Sequence, residues 1–315
     1  MKLLLVQVRY GIGDIILAGL PYIHALSKKF NSKISLLVKE SSRASDLFAD
    51  DNHIDEIITL KNDMDGVRGI FKLTRELKKR NFDKIFIFNS SFRFYLISKF
   101  SRISEVYQYP LFQKRKQHIT DTPKKFIKDK LNLEINEDPV IQIDDKLSSE
   151  WIEKFQINKN EMNILLGVGG SGPTKRIPAK IFLSVIDKIS NFKKCKFFLA
   201  AGQNSEEQSI IKEILQSNLK NYCIPLDKFS IKDTLPFIKN CSLSICNDSS
   251  FSHLSAALGV KTITLMADTP LIYGNYSSKM FPVIPDGEET VTHDTLGKEK
   301  INPQKIYDKV IEIIN

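Results

Sequence analysis

The chain has 315 residues, 42% of them hydrophobic, which is enough to fill two buried cores. No apolar run approaches the roughly 20 residues that a membrane-crossing helix requires, so a spanning helix is excluded and a soluble protein is expected. The formal charge of +9 points to an acidic partner, and the four cysteines (Cys195, Cys223, Cys241, Cys246) form no C-x-x-C pair, so they read as reduced core thiols.

In chain order, Met1-Lys2 before Leu3-Leu4-Leu5-Val6 imitates the start of a signal peptide. Arg9 interrupts it before an apolar region of about 7–15 residues can form, and the chain is expected to stay in the cytoplasm. Short β-branched runs then alternate with longer helical patterns, the signature of βαβ units and a parallel sheet. The first series predicts strands over 3–8, 34–38, 54–60 and 84–88, with helices over 15–30, 42–50 and 66–80. Residues 93–130 carry ten Lys or Arg against three Asp or Glu. That segment is either a solvated basic face or a surface for phosphates, carboxylates or an anionic membrane. Arg93, Lys114 and Arg115 are its candidate acceptor contacts. A polar linker around 145–160 divides a domain over 1–150 from one over 151–315. The second series predicts strands over 163–168, 195–200, 222–224, 243–246 and 262–266, with helices over 179–190, 205–217, 231–239 and 251–258. Residues 281–303 are rich in Pro, Gly and Glu. After Pro303 a helix aligns Ile306, Val310, Ile313 and Ile314 on one face, which must pack on its own domain or back on the first.

Two doubly wound α/β sheets place their ligands beyond the carboxyl ends of the strands, so the strand-to-helix loops are where chemistry is expected. The first loop is Arg9-Tyr10-Gly11-Ile12-Gly13-Asp14. It matches only half of G-x-G-x-x-G, because Ile16 stands where the third glycine belongs, and a nicotinamide cofactor is disfavoured. Asp14 is either a helix cap complementing the dipole or a general base facing the ligand. The second loop, from Gly167 to Pro178, carries glycines with Ser171, Thr174, Lys175 and Arg176. It is no Walker A loop, yet amides, a hydroxyl and two cations together suit a phosphate. In the third, Asn247-Asp248-Ser249-Ser250 leads into a small-residue helix through Phe251 and His253. Its unpaired amides and positive dipole end suit a diphosphate. His253 reads as an orienting hydrogen-bond partner rather than a proton carrier. Gly202 ends a further strand where a nucleoside could approach, and Leu226-Asp227-Lys228 could meet a ribose.

Taken together, the G-x-G-D opening running on to Leu20-Pro21, the Gly-Pro-Thr-Lys-Arg-Ile-Pro segment and the Asn-Asp-Ser-Ser-x-x-His-Leu-x-Ala-Ala-Leu-Gly stretch resemble glycosyltransferase family 9, the ADP-heptose:lipopolysaccharide heptosyltransferases. The resemblance implies a GT-B fold, two facing Rossmann-like domains with the acceptor on the first and the donor on the second. It implies inverting transfer of heptose from ADP-heptose to a lipopolysaccharide-core or related surface glycan, with no metal and no cofactor beyond the nucleotide-sugar. By that resemblance Asp14 looks like the base and Lys175 like the phosphate-contacting lysine, while Asp248 to Ser250 resemble the donor loop. Gly13, Gly170, Ser171, Thr174, Gly202, Phe251 and His253 complete the expected donor set. An anionic glycolipid would be the acceptor, with peripheral contact at the cytoplasmic face of the inner membrane and no nucleic-acid partner. Two departures stand out: Ser249-Ser250 where the family shows Thr-Gly, and Ile177 where it shows Trp. Alternatives are a GT-B transferase or epimerase using another nucleotide-sugar, or a non-catalytic nucleotide-binding protein.

Overall fold

The structure, a computed structural model, describes residues 1–111, 119–154, 157–158 and 160–315, apart from the side chain of Leu147. The chain divides into two compact units, Met1–Glu137 and Asp138–Asn315.

The first unit runs β1 (Leu3–Gln7), α1 (Ile12–Ala18), α2 (Leu20–Phe30), β2 (Ile34–Val38), α3 (Ala44–Leu47), β3 (Ile54–Thr59), α4 (Ile70–Arg80), β4 (Lys84–Ile87), α5 (Phe92–Phe100), β5 (Glu105–Gln108) and α6 (Asp121–Leu131). Its five strands are parallel in the order β3-β2-β1-β4-β5. β1 and β2 are buried along their whole length, the pattern of a parallel sheet covered on both faces. The helix expected over 15–30 is two helices. Gly19 breaks it because a Cβ there would lie 2.1 Å from the Ile15 carbonyl oxygen and 2.8 Å from Gln7 Oε1. Gln7 Nε2 donates to the Ala18 carbonyl at 3.0 Å, tying the break to the central strand.

The second unit runs α7 (Asp145–Lys154), β6 (Met162–Gly167), α8 (Ala179–Phe192), β7 (Cys195–Ala200), α9 (Ser205–Gln216), β8 (Cys223–Pro225), α10 (Ile231–Lys239), β9 (Leu243–Asn247), α11 (Ser250–Ala257), β10 (Thr262–Leu265), β11 (Met280–Val283) and α12 (Pro303–Ile314). Its six strands are parallel in the order β11-β10-β9-β6-β7-β8. The two compact units divide at 137/138, ahead of the boundary near 150 that the sequence suggests. Asp138 Oδ2 accepts from the Ser277 and Ser278 hydroxyls, Ile141 N donates to the Ala257 carbonyl at 2.8 Å, and Lys239 reaches Asp145 at 2.6 Å. The polar stretch read as a linker is therefore edge structure of the second unit, with α7 against α10. The Pro-, Gly- and Glu-rich tail opens on β11, an edge strand that tolerates Pro282 because its missing N–H faces no further strand. α12 stays in its own unit, where Ile306, Val310 and Ile313 join the second core against α8.

All four cysteines are free and buried, and burial pushes the Cys195 thiol up to about 11 and the Cys223 and Cys246 thiols up to about 12. Among the described residues no helix is long and apolar enough to cross a membrane.

The contacts at Gly19 generate a test. Gly19→Ala is expected to lower the unfolding free energy by about 1–3 kcal/mol in denaturant titration, because the methyl meets backbone. Gly11→Ala, where nothing lies within 4 Å, is expected to cost under about 1 kcal/mol. Equal losses would show that the Gly19 approach is not what breaks the helix.

Candidate functional site

Both sheets reverse strand order beside their first strand, between β1 and β4 in the first and between β6 and β9 in the second. At such a switch point the loops leaving adjacent strands diverge to opposite faces and open a crevice. The loop after β6 and the loop after β9 are thereby brought together, although they are far apart in sequence. Asn247, the last residue of β9, donates from Nδ2 to the Val168 carbonyl at 2.8 Å and fastens the two strand ends. Gly167 makes the approach possible: a Cβ there would lie 2.6 Å from Cys246 Sγ.

Lys175 and Asp248 meet across this junction, Nζ to Oδ2 at 2.6 Å, with the Asp248 side chain only 5% exposed. Burial pushes the Asp248 carboxyl up, but the Lys175 ammonium and the neighbouring His253 outweigh it and hold the group below the usual carboxylate range. Lys175 has three N–H donors and gives one to Asp248, with no other partner among the described residues. Beside it α11 opens at Ser250, with Ser249 as its cap and Ser252 Oγ donating back to the Ser249 carbonyl at 2.7 Å. The unpaired first-turn amides of α11 and the Lys175 ammonium thus converge on one edge, a fit for a doubly charged phosphate group.

His253 lies behind Asp248, with Nε2 3.9 Å from Oδ1. Its Nδ1 is 2.8 Å from the Tyr276 hydroxyl, and the two rings stack at 5.5 Å. Burial and the Asp138 carboxylate push the Tyr276 phenol above its ordinary range, so it stays protonated and can donate to Nδ1, leaving Nε2–H directed at Asp248. The arrangement places the His253 ring between the Tyr276 hydroxyl and the Asp248 carboxylate.

The glycine loops are tied by a residue that the sequence reading did not single out. Glu207, buried in the first turn of α9, accepts the Gly170 amide at 3.2 Å on Oε1 and the Gly202 amide at 2.5 Å on Oε2. Arg176 closes the set, with Nε on the Gly170 carbonyl at 3.0 Å and its guanidinium paired with Glu206. The signal was present as Asn204-x-x-Glu207, a capping pattern at the helix start, and Asn204 Oδ1 indeed accepts the Glu207 amide at 3.0 Å.

Of the expected donor residues, Gly170, Lys175, Asp248, Ser249, Ser250 and His253 surround this junction, while Ser171 and Gly202 are exposed and Thr174 half-buried on its loops. Phe251, also expected in the donor set, is buried and packs against Gly167, supporting the helix start from within the core. Ile177 is likewise buried in the second core.

In the first unit, Gly11, Gly13 and Asp14 stand at the carboxyl end of the central strand β1. α1 begins at Ile12 with Gly11 at the cap position, and Asp14 reaches back from the first turn as a capping-box carboxylate, Oδ2 3.4 Å from the Gly11 amide, with no other partner among the described residues. Arg93, expected as an acceptor contact, is already engaged within the unit. Its guanidinium is held by Asp65 at 2.8 Å and by the Met64 carbonyl at 2.5 Å, so it fastens α5 to the turn before α4. Lys114 and Arg115 lie outside the described residues.

Two parallel, doubly wound units with glycine loops and a helix start at the second switch point define a protein of the GT-B fold. The chain belongs to glycosyltransferase family 9 (heptosyltransferase), whose family model matches residues 70–281. A lipopolysaccharide heptosyltransferase 1 from Campylobacter coli is 33% identical over 178 residues, 54% of this chain and 50% of that relative, so the matched part spans about half of the relative's length. Among solved structures, a family 9 glycosyl transferase from Veillonella parvula superposes with a TM-score of 0.81 at 18% identity, covering 99% of this chain and 97% of that one. An E. coli ADP-heptose lps heptosyltransferase II gives 0.75 at 17% identity, covering 100% and 98%. At these identities the superpositions show the fold. Lys175 and Asp248 fall inside the family match, and Asp14 precedes it.

Two measurements follow from the site. Glu207→Ala leaves the buried Gly170 amide without its acceptor and is expected to cost about 1–3 kcal/mol of stability by chemical denaturation; a neutral effect would mean that the loops hold without it. Asp248 has a folded pKa below its unfolded one, so its stabilising contribution is complete above about pH 4 and is lost as pH falls through the folded value. Asp248→Asn is therefore expected to be less stable than wild type at neutral pH by an amount that shrinks below about pH 4. A difference that stays constant through the acid range would contradict the pairing.

Proposed function

We propose that the chain transfers a heptose from ADP-heptose to a hydroxyl of a lipopolysaccharide-core or related surface glycan, with inversion at the anomeric carbon and without a metal ion. Family membership supports the reaction class, and the names of the Campylobacter coli relative and the E. coli structure support the sugar and the donor. The observation that carries the reading is the convergence of Lys175 with the first turn of α11 on one edge of the second sheet.

In the proposed step, the acceptor oxygen forms a bond to the anomeric carbon as the bond from that carbon to the diphosphate breaks. The acceptor proton passes to the Asp14 carboxylate, and ADP departs with the bonding electrons. Lys175 and the α11 amides receive the charge that grows on the leaving diphosphate, where fixed donors act most strongly. That fixed positive charge is the role a divalent cation would otherwise fill. Ser250 sets a side chain at the helix mouth where the family shows glycine, which makes the nucleotide a point for direct measurement: ADP is expected to bind more tightly than UDP or GDP in calorimetry.

Asp14→Asn is expected to lower kcat by about 10²–10⁴ with donor affinity nearly unchanged, whereas Lys175→Ala is expected to weaken ADP binding and turnover together. Wild-type turnover by Asp14→Asn would remove the proposed base.

A further inference from the structure

α4 and α5 pack side by side on the first sheet, sharing a core through Leu73, Leu77, Phe94 and Ile97. Each follows a strand of a parallel sheet, so both begin at its carboxyl edge, the edge that carries Asp14. The outer side of this end is apolar. Val67 is 79% exposed, Phe71 80% and Phe92 59%, the first two one turn apart at the start of α4 and the third opening α5. Arg93, fixed on Asp65 and the Met64 carbonyl, holds the start of α5 against the turn leading into α4, so the three side chains belong to one surface.

The charges around this surface are one-sided. Its carboxylates are already used: Asp63 pairs with Lys72, Asp65 with Lys39 and Arg93, and Glu76 with Arg80. Arg68, Arg75 and Lys99 are exposed and have no carboxylate partner among the described residues. Exposed aromatic side chains rimmed by unpaired cations suit the interface of an anionic bilayer, where the rings enter the headgroup boundary and the cations meet phosphates. A soluble polyanion would match the cations and leave the aromatic rings in water.

We infer that the start of α4 and α5, through Val67, Phe71, Phe92, Arg68 and Arg75, is a docking surface for a membrane rich in anionic lipid. The inference rests on the proposed glycolipid acceptor for its purpose, since it sets the edge carrying Asp14 at the lipid surface, but its primary readout is vesicle binding, with transfer measured only to separate the two claims. The full chain is sedimented with vesicles of phosphatidylcholine alone and with vesicles in which about one third is phosphatidylglycerol. Wild type is expected to bind the anionic vesicles. Phe71→Ser with Phe92→Ser, and separately Arg68→Glu with Arg75→Glu, are expected to reduce that binding by at least about tenfold, while melting temperature and ADP affinity stay unchanged. The loss should be repaired by salt in neither pair, whereas raised salt should weaken wild type towards the charge-reversed pair. Failure of wild type to bind, or wild-type binding by both pairs, overturns the inference. So does a wild-type dimer in light scattering that the Phe71→Ser, Phe92→Ser pair dissolves without any vesicle binding, since the patch would then join two copies. A wild type that fails to bind vesicles yet transfers to a soluble acceptor would sink the docking surface alone; a wild type that binds vesicles without transferring would sink the proposed reaction alone.

Discussion

The placement of β9 beside β6 is the constraint on which the second unit depends. A parallel sheet that grows outward from its first strand in both directions must leave one pair of neighbours whose following loops turn to opposite faces, and here that pair is β6 and β9. Lys175 and Asp248, 73 positions apart in sequence, become partners only because of it. The Asn247 side chain on the Val168 carbonyl and the space left by Gly167 against Cys246 let the two strand ends close to bonding distance.

Carboxylates at this edge act as fasteners rather than as ligands. Asp248 fixes the Lys175 ammonium, and Glu207 fixes two glycine amide groups on neighbouring loops. Each is buried and fully engaged, which is the condition under which a buried charge stabilises instead of costing. The consequence for chemistry is preorganisation: cations and amides are held in place before a ligand arrives, so little reorganisation is required when charge develops. The Tyr276 to His253 contact extends the same support one layer further back.

Most of the fold was legible because parallel strands buried on both faces announce themselves as apolar runs between helical patterns. What escaped was short or edge-placed. β5, with one exposed and three half-buried residues, and β11, with Pro282, lack that signal, and α5 and α6 were hidden within a stretch rich in lysine and arginine. The strand-to-helix loops of the site were legible because glycine and serine mark them. Roles that depend on a distant partner were not: Arg93 looked like a ligand because a sequence displays its charge but not Asp65, and Phe251 looked like a lining residue because its burial against Gly167 is a tertiary fact. Glu207 was readable as part of a capping pattern, yet its grip on Gly170 and Gly202 comes from the meeting of the loops after β6 and β7.

The central claim, that the switch-point edge of the second unit receives a nucleoside diphosphate, is tested most directly by hydrogen–deuterium exchange of the full chain with and without ADP. The account predicts slowed exchange in peptides covering 168–176 and 248–254, where ligand oxygens would accept from backbone amides. ADP binding that leaves both segments unchanged, or that protects the loop after β1 instead, would contradict it.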